Sequence, residues 1–476
     1  MRNVHFVTGY PGFIGKRLAA RLLERDRKGQ LYVLVQPRFA KDARREVARL
    51  DPKQGARVTV LVGDVVDMHL GLSGEEYRKL ADEVTHVFHL AAISYLGVDR
   101  RTLERVNVDG TRNVLELARD ARHLVRLSHM STVHVAGDRQ GVIDEDELEE
   151  GQRFHNAYEE TKFRAEVLVR KAMAELPISV FRPSTVVGDS RTGEIDRFDG
   201  PYYTAFELVT SPLRVPVPLP GDGSFPLNVV PSDFVVDAIL ELAFRKEAEG
   251  RTFHLVDPNP MSARKVYEYV AQKAGKRPPR ARLPARASVA LLRLPFLERL
   301  SRPQRAAIEH LNELVIYNCR NTLEQLDGTG IRCPPLTAYL DKLLAFVEEQ
   351  QRLRREARTR PEAAPEDPLA PSEAAAPAEA AAEDAEGAAE EVLAAVATVE
   401  GAEKRQRPTR QRQARQGAAR PTRPRKRAGA GEGEGAPGVA AEPAAPAAVS
   451  AETPSEGAAE PEGASQPPDA SAARTR

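Results

Sequence analysis

The stretch Val4-His5-Phe6-Val7-Thr8-Gly9-Tyr10-Pro11-Gly12-Phe13-Ile14-Gly15 decides the fold. Its first half is an apolar, β-rich run. Its second half opens a segment in which Phe13-Ile14, Leu18-Ala19 and Leu22-Leu23 recur at helical spacing. A strand, a glycine turn and a helix in that order form the setting in which a Gly-rich loop cradles a dinucleotide pyrophosphate. Gly9 permits the sharp turn, Gly12 permits close approach of the phosphates, and Gly15 permits the helix to pack near the strand. Tyr10, Pro11, Phe13 and Ile14 complete the loop, and the free amides of the helix N-terminus face the anion. The spacing is GxxGxxG rather than GxGxxG, so the motif gains its meaning from its place at the head of an alternating β/α pattern.

That alternation continues outward. Residues 31–35 read as a second buried strand, running into Gln36-Pro37-Arg38 and then Lys41, Arg44 and Arg45. An acid at the end of this strand would accept the ribose hydroxyls of NAD(H). Cations in its place favour a 2′-phosphate, hence NADP(H), with Arg38 as the first candidate contact and NAD(H) as the alternative. The same cations also read as a solvated helix face. Residues 58–62 form a third strand ending in Gly63-Asp64-Val65, and residues 84–90 a fourth ending in Ala91-Ala92. Small residues there leave room for a ligand. Asn107-Val108-Asp109-Gly110-Thr111 opens a further helix, and a fifth strand is expected over 123–127, followed by Ser128-His129-Met130-Ser131-Thr132. The fold class is therefore α/β: a Rossmann-type, doubly wound parallel sheet.

Asn156-Ala157-Tyr158-Glu159-Glu160-Thr161-Lys162 begins a long amphipathic helix. Four residues apart, Tyr158 and Lys162 project from one face. A phenol of pKa about 10 is poorly matched to proton transfer at neutral pH, and a neighbouring ammonium would pull it toward the working range. YxxxK alone is common. After five β/α units, with Ser131 and Thr132 upstream, it becomes specific.

These ordered motifs, with Phe181-Arg182-Pro183-Ser184 after them, resemble the extended short-chain dehydrogenase/reductase superfamily over residues 1–349. The Ser-Thr-Val cluster, Gly188-Asp189-Ser190-Arg191-Thr192-Gly193 and Leu227-Asn228-Val229-Val230-Pro231 are most similar to its thioester-reductase and fatty acyl-CoA reductase branch. In that branch an Arg often stands where this chain has Gln36. The resemblance implies NADPH-dependent reduction of an acyl thioester, carried by CoA or a carrier, or of the related aldehyde. It implies Tyr158 as proton donor, Lys162 on the nicotinamide ribose, and Thr132 or Ser131 as the polarising hydroxyl. Asp64 and Val65 would flank adenine, Ala91 and Ala92 the cofactor backbone, and Pro183, Ser184 and Val186 the nicotinamide. Asn107 would support either a relay water or the sheet. Two other readings are a nucleotide-sugar epimerase or dehydratase with bound NAD, and a non-catalytic NADP-sensing scaffold.

The substrate region is expected mainly at 193–231 and 257–349, and Pro231-Ser232-Asp233 is expected to open a helix with Ser232 or Asp233 as its cap. Within it, residues 287–300 read as a packed helix, with lipid guidance or membrane contact as the alternative. The 476 residues carry 69 basic and 69 acidic side chains, so net charge names no partner. Ala, Pro, Glu and Gly dominate after residue 349 without an aromatic, which predicts a disordered tail over 350–476. Its basic segment 404–427 is a candidate for weak contact with a polyanion or anionic membrane, or a solvated segment screened by acidic neighbours. Cys319 and Cys333 read as buried thiols and no histidine cluster has metal-ligand spacing, so no metal is expected. A strand at the start and no long apolar run predict a cytoplasmic protein. Oligomeric state is not legible.

Overall fold

The structure, a computed structural model, describes residues 2–94, 98–196, 223–273 and 314–359. The expectations for 287–300, for 404–427 and for most of the tail lie outside the described residues.

Eleven strands occur among the described residues: β1 (Val4–Thr8), β2 (Gln30–Val35), β3 (Val58–Val62), β4 (His86–His89), β5 (Arg126–Met130), β6 (Gly141–Ile143), β7 (Ile178–Pro183), β8 (Thr185–Val187), β9 (Val229–Pro231), β10 (Thr252–Leu255) and β11 (Val315–Tyr317). Seven form one sheet in the order β3-β2-β1-β4-β5-β7-β10, every pair parallel. The chain winds from β1 to β3 on one side, then returns to lay β4 on the other side of β1. The carboxyl ends of β1 and β4 therefore flank the topological switch point, where open α/β sheets place their ligands.

Strand alternation divides the core into two layers. Val7, Leu31, Val33, Val35, Phe88, Phe181 and Phe253 face the helices Phe13–Arg25 and Ser232–Ala243. Phe6, Tyr32, Leu34, Val87, Leu127, Ile178 and Val180 face Gly74–Glu83, Gly110–Asp120 and Ala157–Ala172. Parallel strands buried on both faces need apolar residues at nearly every position, which is why they read as continuous runs rather than alternating ones. A smaller core joins Val187, Phe225, Leu227 and Val229 to the helices Ala263–Lys273 and Leu340–Thr359. The last helix passes residue 349, the expected end of the folded part.

Three local expectations are corrected. The fifth strand is Arg126–Met130, three residues later than expected, because its partners β4 and β7 set the register His86↔Arg126 and Leu127↔Ile178. The helix at Ser232 is not capped by Ser232 or Asp233. Pro231 stands at its N-cap, and Asp233 accepts from the backbone amide and hydroxyl of Ser190 at 2.9 and 2.6 Å. Asn107 does not open an α-helix directly. It lies in a π-helical turn, Glu104–Asp109, before Gly110–Asp120.

Both cysteines are free thiols, Cys319 buried and Cys333 half-buried. Among the described residues no metal-ligating cluster occurs, and no helix is long and apolar enough to cross a membrane.

Candidate active site

Gly9 turns the chain at the end of β1 with φ +85°, a conformation costly for any side chain. A Cβ there would lie 2.8 Å from the backbone carbon of Leu90 and 2.9 Å from the amide nitrogen of Ala91. A Cβ on Gly15 would lie 2.4 Å from the Gly9 carbonyl oxygen, and one on Gly12 2.8 Å from the same atom. The three glycines thus bring the first turn of Phe13–Arg25 against the switch point, with no side chain capping it.

Beneath them lies a hydrogen-bonded floor. Thr111 donates its hydroxyl proton to the Asn107 carbonyl at 2.7 Å, so its oxygen accepts from His89 Nε2 at 3.0 Å. His89 Nδ1 then accepts from Thr8 Oγ1 at 2.8 Å, and Thr8 Oγ1 accepts from the Ala91 amide at 3.2 Å. Burial pushes His89 down to about 3, with the Lys162 charge adding to the shift, so it stays neutral and serves as a bridge. The Asn107 side chain brackets Ile93, accepting from its amide at 2.8 Å and donating to its carbonyl at 3.1 Å, and also meets Thr161 Oγ1 at 3.0 Å. These bonds engage Asn107 in holding the loop after Ala91-Ala92 to the Tyr158 helix.

That helix, Ala157–Ala172, is anchored at its first turn. Asn156 accepts from the Glu159 amide at 3.0 Å, and Glu159 accepts from Asn156 Nδ2 at 2.9 Å and the His155 amide at 3.0 Å. Such a cap stabilises a helix by about 1 kcal/mol and fixes the rotation of its first turn. Lys162 is buried and donates to the Met130 carbonyl at 2.7 Å. Thr132, whose hydroxyl accepts from the His134 amide at 3.3 Å, neighbours the Tyr158 phenol and lowers its pKa. Ser131 turns the other way and donates to Glu166 Oε2 at 2.5 Å. Of the two candidate hydroxyls, the fold brings Thr132 to Tyr158 and assigns Ser131 to the core.

The electrostatics differ from the simple expectation for the Tyr-Lys pair. Burial pushes Tyr158 up to about 12, and the Thr132 hydroxyl only partly offsets this. Burial lowers Lys162 to about 8, with the Glu166 charge opposing. In this geometry the phenol is held protonated, suited to giving a proton rather than taking one.

Other sequence-derived candidates are distributed around this centre. Tyr10 and Ile14 are buried in the same core layer. Phe13 stacks under the Arg17 guanidinium at 4.2 Å. Pro11 stays in the turn. Asp64 and Arg38 meet through Gln36. Val65 packs against Gly110, whose Cβ would lie 2.8 Å from its Cγ2. Pro183 ends β7, the Ser184 amide donates to the Leu255 carbonyl at 3.1 Å, and the buried Ser184 hydroxyl has no partner among the described residues. Val186 pairs with Val230 in the small β8–β9 sheet.

Sequence reasoning missed a buried ionic network. Glu166, one turn beyond Lys162, accepts from Arg182 Nη2 at 2.7 Å, Arg182 Nε at 3.0 Å and Arg170 Nε at 3.2 Å. Burial alone would raise this carboxyl, but the Arg182 charge and hydrogen bonds, with Arg170 and Ser131, hold it below the usual carboxylate range. Arg182 also donates to the Glu147 carbonyl at 2.8 Å and meets His254 Nε2 at 3.2 Å. The available sign was an arginine inside the apolar strand Ile178–Pro183, which folding can bury only with a counter-ion.

A glycine turn at the switch point and a Thr-Tyr-Lys cluster beside it define a dinucleotide-binding protein of the short-chain dehydrogenase/reductase class. The NAD-binding family model described as Male sterility protein matches residues 7–239. The chain is 29% identical over 279 residues to the fatty acyl-CoA reductase wat of Drosophila melanogaster, a match covering 50% of this chain and 53% of that one. It thus spans about half the length of that relative. The terminal R domain from the myxalamid PKS-NRPS biosynthetic pathway superposes with a TM-score of 0.64 at 26% identity, covering 74% of this chain and 91% of the domain. UDP-glucuronic acid 4-epimerase from Bacillus cereus, at 19% identity and a TM-score of 0.52 over 73% of this chain and 99% of the enzyme, shares the fold alone. Residues 7–239 thus carry a Male sterility-type NAD-binding domain, and these likenesses support the thioester-reductase and fatty acyl-CoA reductase branch of the extended short-chain dehydrogenase/reductase superfamily.

Proposed function

We propose that this protein is an NADPH-dependent reductase of acyl thioesters, carried by CoA or a carrier, with related aldehydes as further substrates. The observation that carries this reading is the convergence of Thr132, Tyr158 and Lys162 beside the glycine turn. The glycine cradle, closed to any Cβ, fits a pyrophosphate, and the cationic end of β2 fits a 2′-phosphate. The names of its relatives support the thioester as substrate class.

Bound NADPH supplies a hydride to the carbonyl carbon. Thr132 hydrogen-bonds the carbonyl oxygen as negative charge develops there, and Tyr158 gives it a proton. The C–S bond then breaks as the hydroxyl proton passes to the departing sulfur, leaving aldehyde and thiol. Lys162, held by the Met130 carbonyl, sits one helical turn from Tyr158 and orients the nicotinamide ribose. Gly9, Gly12 and Gly15 take the pyrophosphate, and Asp64 and Val65 the adenine.

The test is NADPH and NADH oxidation by the purified protein against acyl-CoAs, aldehydes and UDP-sugars. Thioester-dependent oxidation of NADPH is expected. UDP-sugar conversion by protein that keeps NAD through purification would replace this reading with the epimerase one.

Two substitutions separate the hydroxyls. Thr132→Ala is expected to lower kcat about tenfold or more through loss of an oxyanion partner. Ser131→Ala is expected to change kcat only a few-fold, its effect appearing as lower stability because Glu166 loses a donor. Equal losses of kcat would return Ser131 to the site.

The reductive rate also carries a pH signature. Lys162, lowered to about 8, loses its charge as pH rises through that value, whereas Tyr158, raised to about 12, keeps its proton. We expect kcat/KM to fall above pH about 8. Lys162→Arg, which does not titrate there, should lack that limb whatever its absolute rate. A wild-type profile flat to high pH would separate the Lys162 charge from the reaction.

A further inference from the structure

The carboxyl end of β2 carries a three-residue chain that no simple cation reading explains. Gln36 Nε2 donates to Asp64 Oδ2 at 2.7 Å, and Gln36 Oε1 accepts from Arg38 Nε at 2.9 Å. Asp64 is held in turn, its Oδ1 accepting from the Val66 amide at 3.2 Å. The Arg38 guanidinium carbon lies 4.7 Å from the centre of the Phe39 ring. Gln36 and Asp64 are half-buried, while Arg38 is exposed.

A primary amide has one donor end and one acceptor end. A carboxylate can only accept, so Asp64 fixes which end of Gln36 points inward. The outward oxygen then takes Arg38 through Nε, and the Phe39 ring supports the guanidinium plane. Both Nη groups of Arg38 lack hydrogen bonds among the described residues, so the N–H edge that suits a phosphate is free.

We propose that Gln36 is the specificity-determining residue for the cofactor, acting as a relay by which Asp64 orients Arg38 toward the ribose 2′-phosphate. This rests on the NADPH reading above. The relay works in two directions. It aims two donor nitrogens at the phosphate of NADPH. It also occupies Gln36 Oε1, the acceptor that the 2′-hydroxyl of NADH would need. Gln36 is thus a positioning residue, and Arg38 makes the contact.

The experiment is a double-mutant cycle on the full chain. Dissociation constants for NADPH and NADH are measured by calorimetry for wild type, Gln36→Ala, Arg38→Ala and the double variant. Wild type is expected to prefer NADPH. Arg38→Ala should weaken NADPH about tenfold or more, the scale of a charge-assisted pair, and raise NADH affinity because Gln36 Oε1 is then free to accept. Gln36→Ala should weaken NADPH several-fold alone and add nothing in the Arg38→Ala background. NADH affinity reports that each variant is folded. Independent, multiplying losses, or a Gln36→Ala protein with wild-type NADPH affinity, would overturn the relay while leaving the NADPH reading intact. A wild type without NADPH preference would overturn that reading, and if Arg38→Ala then has no effect the relay falls with it.

Discussion

Tyr158→Phe is expected to lower turnover by about 10²-fold or more while NADPH affinity stays at the wild-type level. The substitution removes one oxygen and leaves the ring that fills the site. That oxygen is the group the Thr132 hydroxyl neighbours, and burial holds its proton in place. Cofactor affinity should survive because the glycine turn, the Gln36–Arg38 pair and Lys162 hold their positions through other bonds. Lys162 in particular donates its hydrogen bond to the Met130 carbonyl, not to Tyr158. Steady-state rates with calorimetric NADPH binding check both halves. A variant of near-normal rate would remove Tyr158 from the mechanism. A variant that loses NADPH would make it a binding residue.

Arg182→Met is expected to lower the free energy of unfolding by about 3–5 kcal/mol, the usual cost of leaving one member of a buried ion pair alone. Glu166 and Arg182 are 0% and 1% exposed, so solvent cannot replace the lost partner. Arg170 and Ser131 remain on Glu166 and set the lower end of the range. Removing both charges, as Glu166→Leu with Arg182→Met, should recover part of the loss because no uncompensated ion is then buried. Urea denaturation of the wild type and both variants decides. A single variant as stable as wild type would mean that Glu166 is neutral in the folded protein. The pair joins the turn carrying Ser131 and Thr132 to His254 and the segment beyond it, so the same loss should loosen the catalytic turn.

The outline of the fold was readable in the chain because its physical causes are local. The runs at 31–35 and 58–62 are apolar at nearly every position, as strands covered on both faces must be. The glycine turn is specified by its own backbone needs, with φ +85° at Gly9 and no room for a Cβ at Gly15. Tyr158 and Lys162 were found because four residues make one helical turn. The fifth strand was placed three residues early because its end is set by pairing with β4 and β7, and that pairing has no trace in residues 123–130 alone. Asp233 was misread as a cap because its partner, Ser190, lies 43 residues away.

The sequence by itself determined the parallel α/β sheet, the dinucleotide turn and the helix that carries Tyr158 and Lys162, since each follows from spacing within one element. Only the tertiary structure decided which hydroxyl meets Tyr158, why Ser131 turns to Glu166, and how Gln36 joins Asp64 to Arg38. The physical reason is distance along the chain. Thr132 and Tyr158, Ser131 and Glu166, and Gln36 and Asp64 come from different elements, and a contact between them exists only after the sheet has set their register. The same holds for the tyrosine's acidity: a lysine four residues on is visible in the chain, whereas the burial that raises the phenol is a property of the packed molecule.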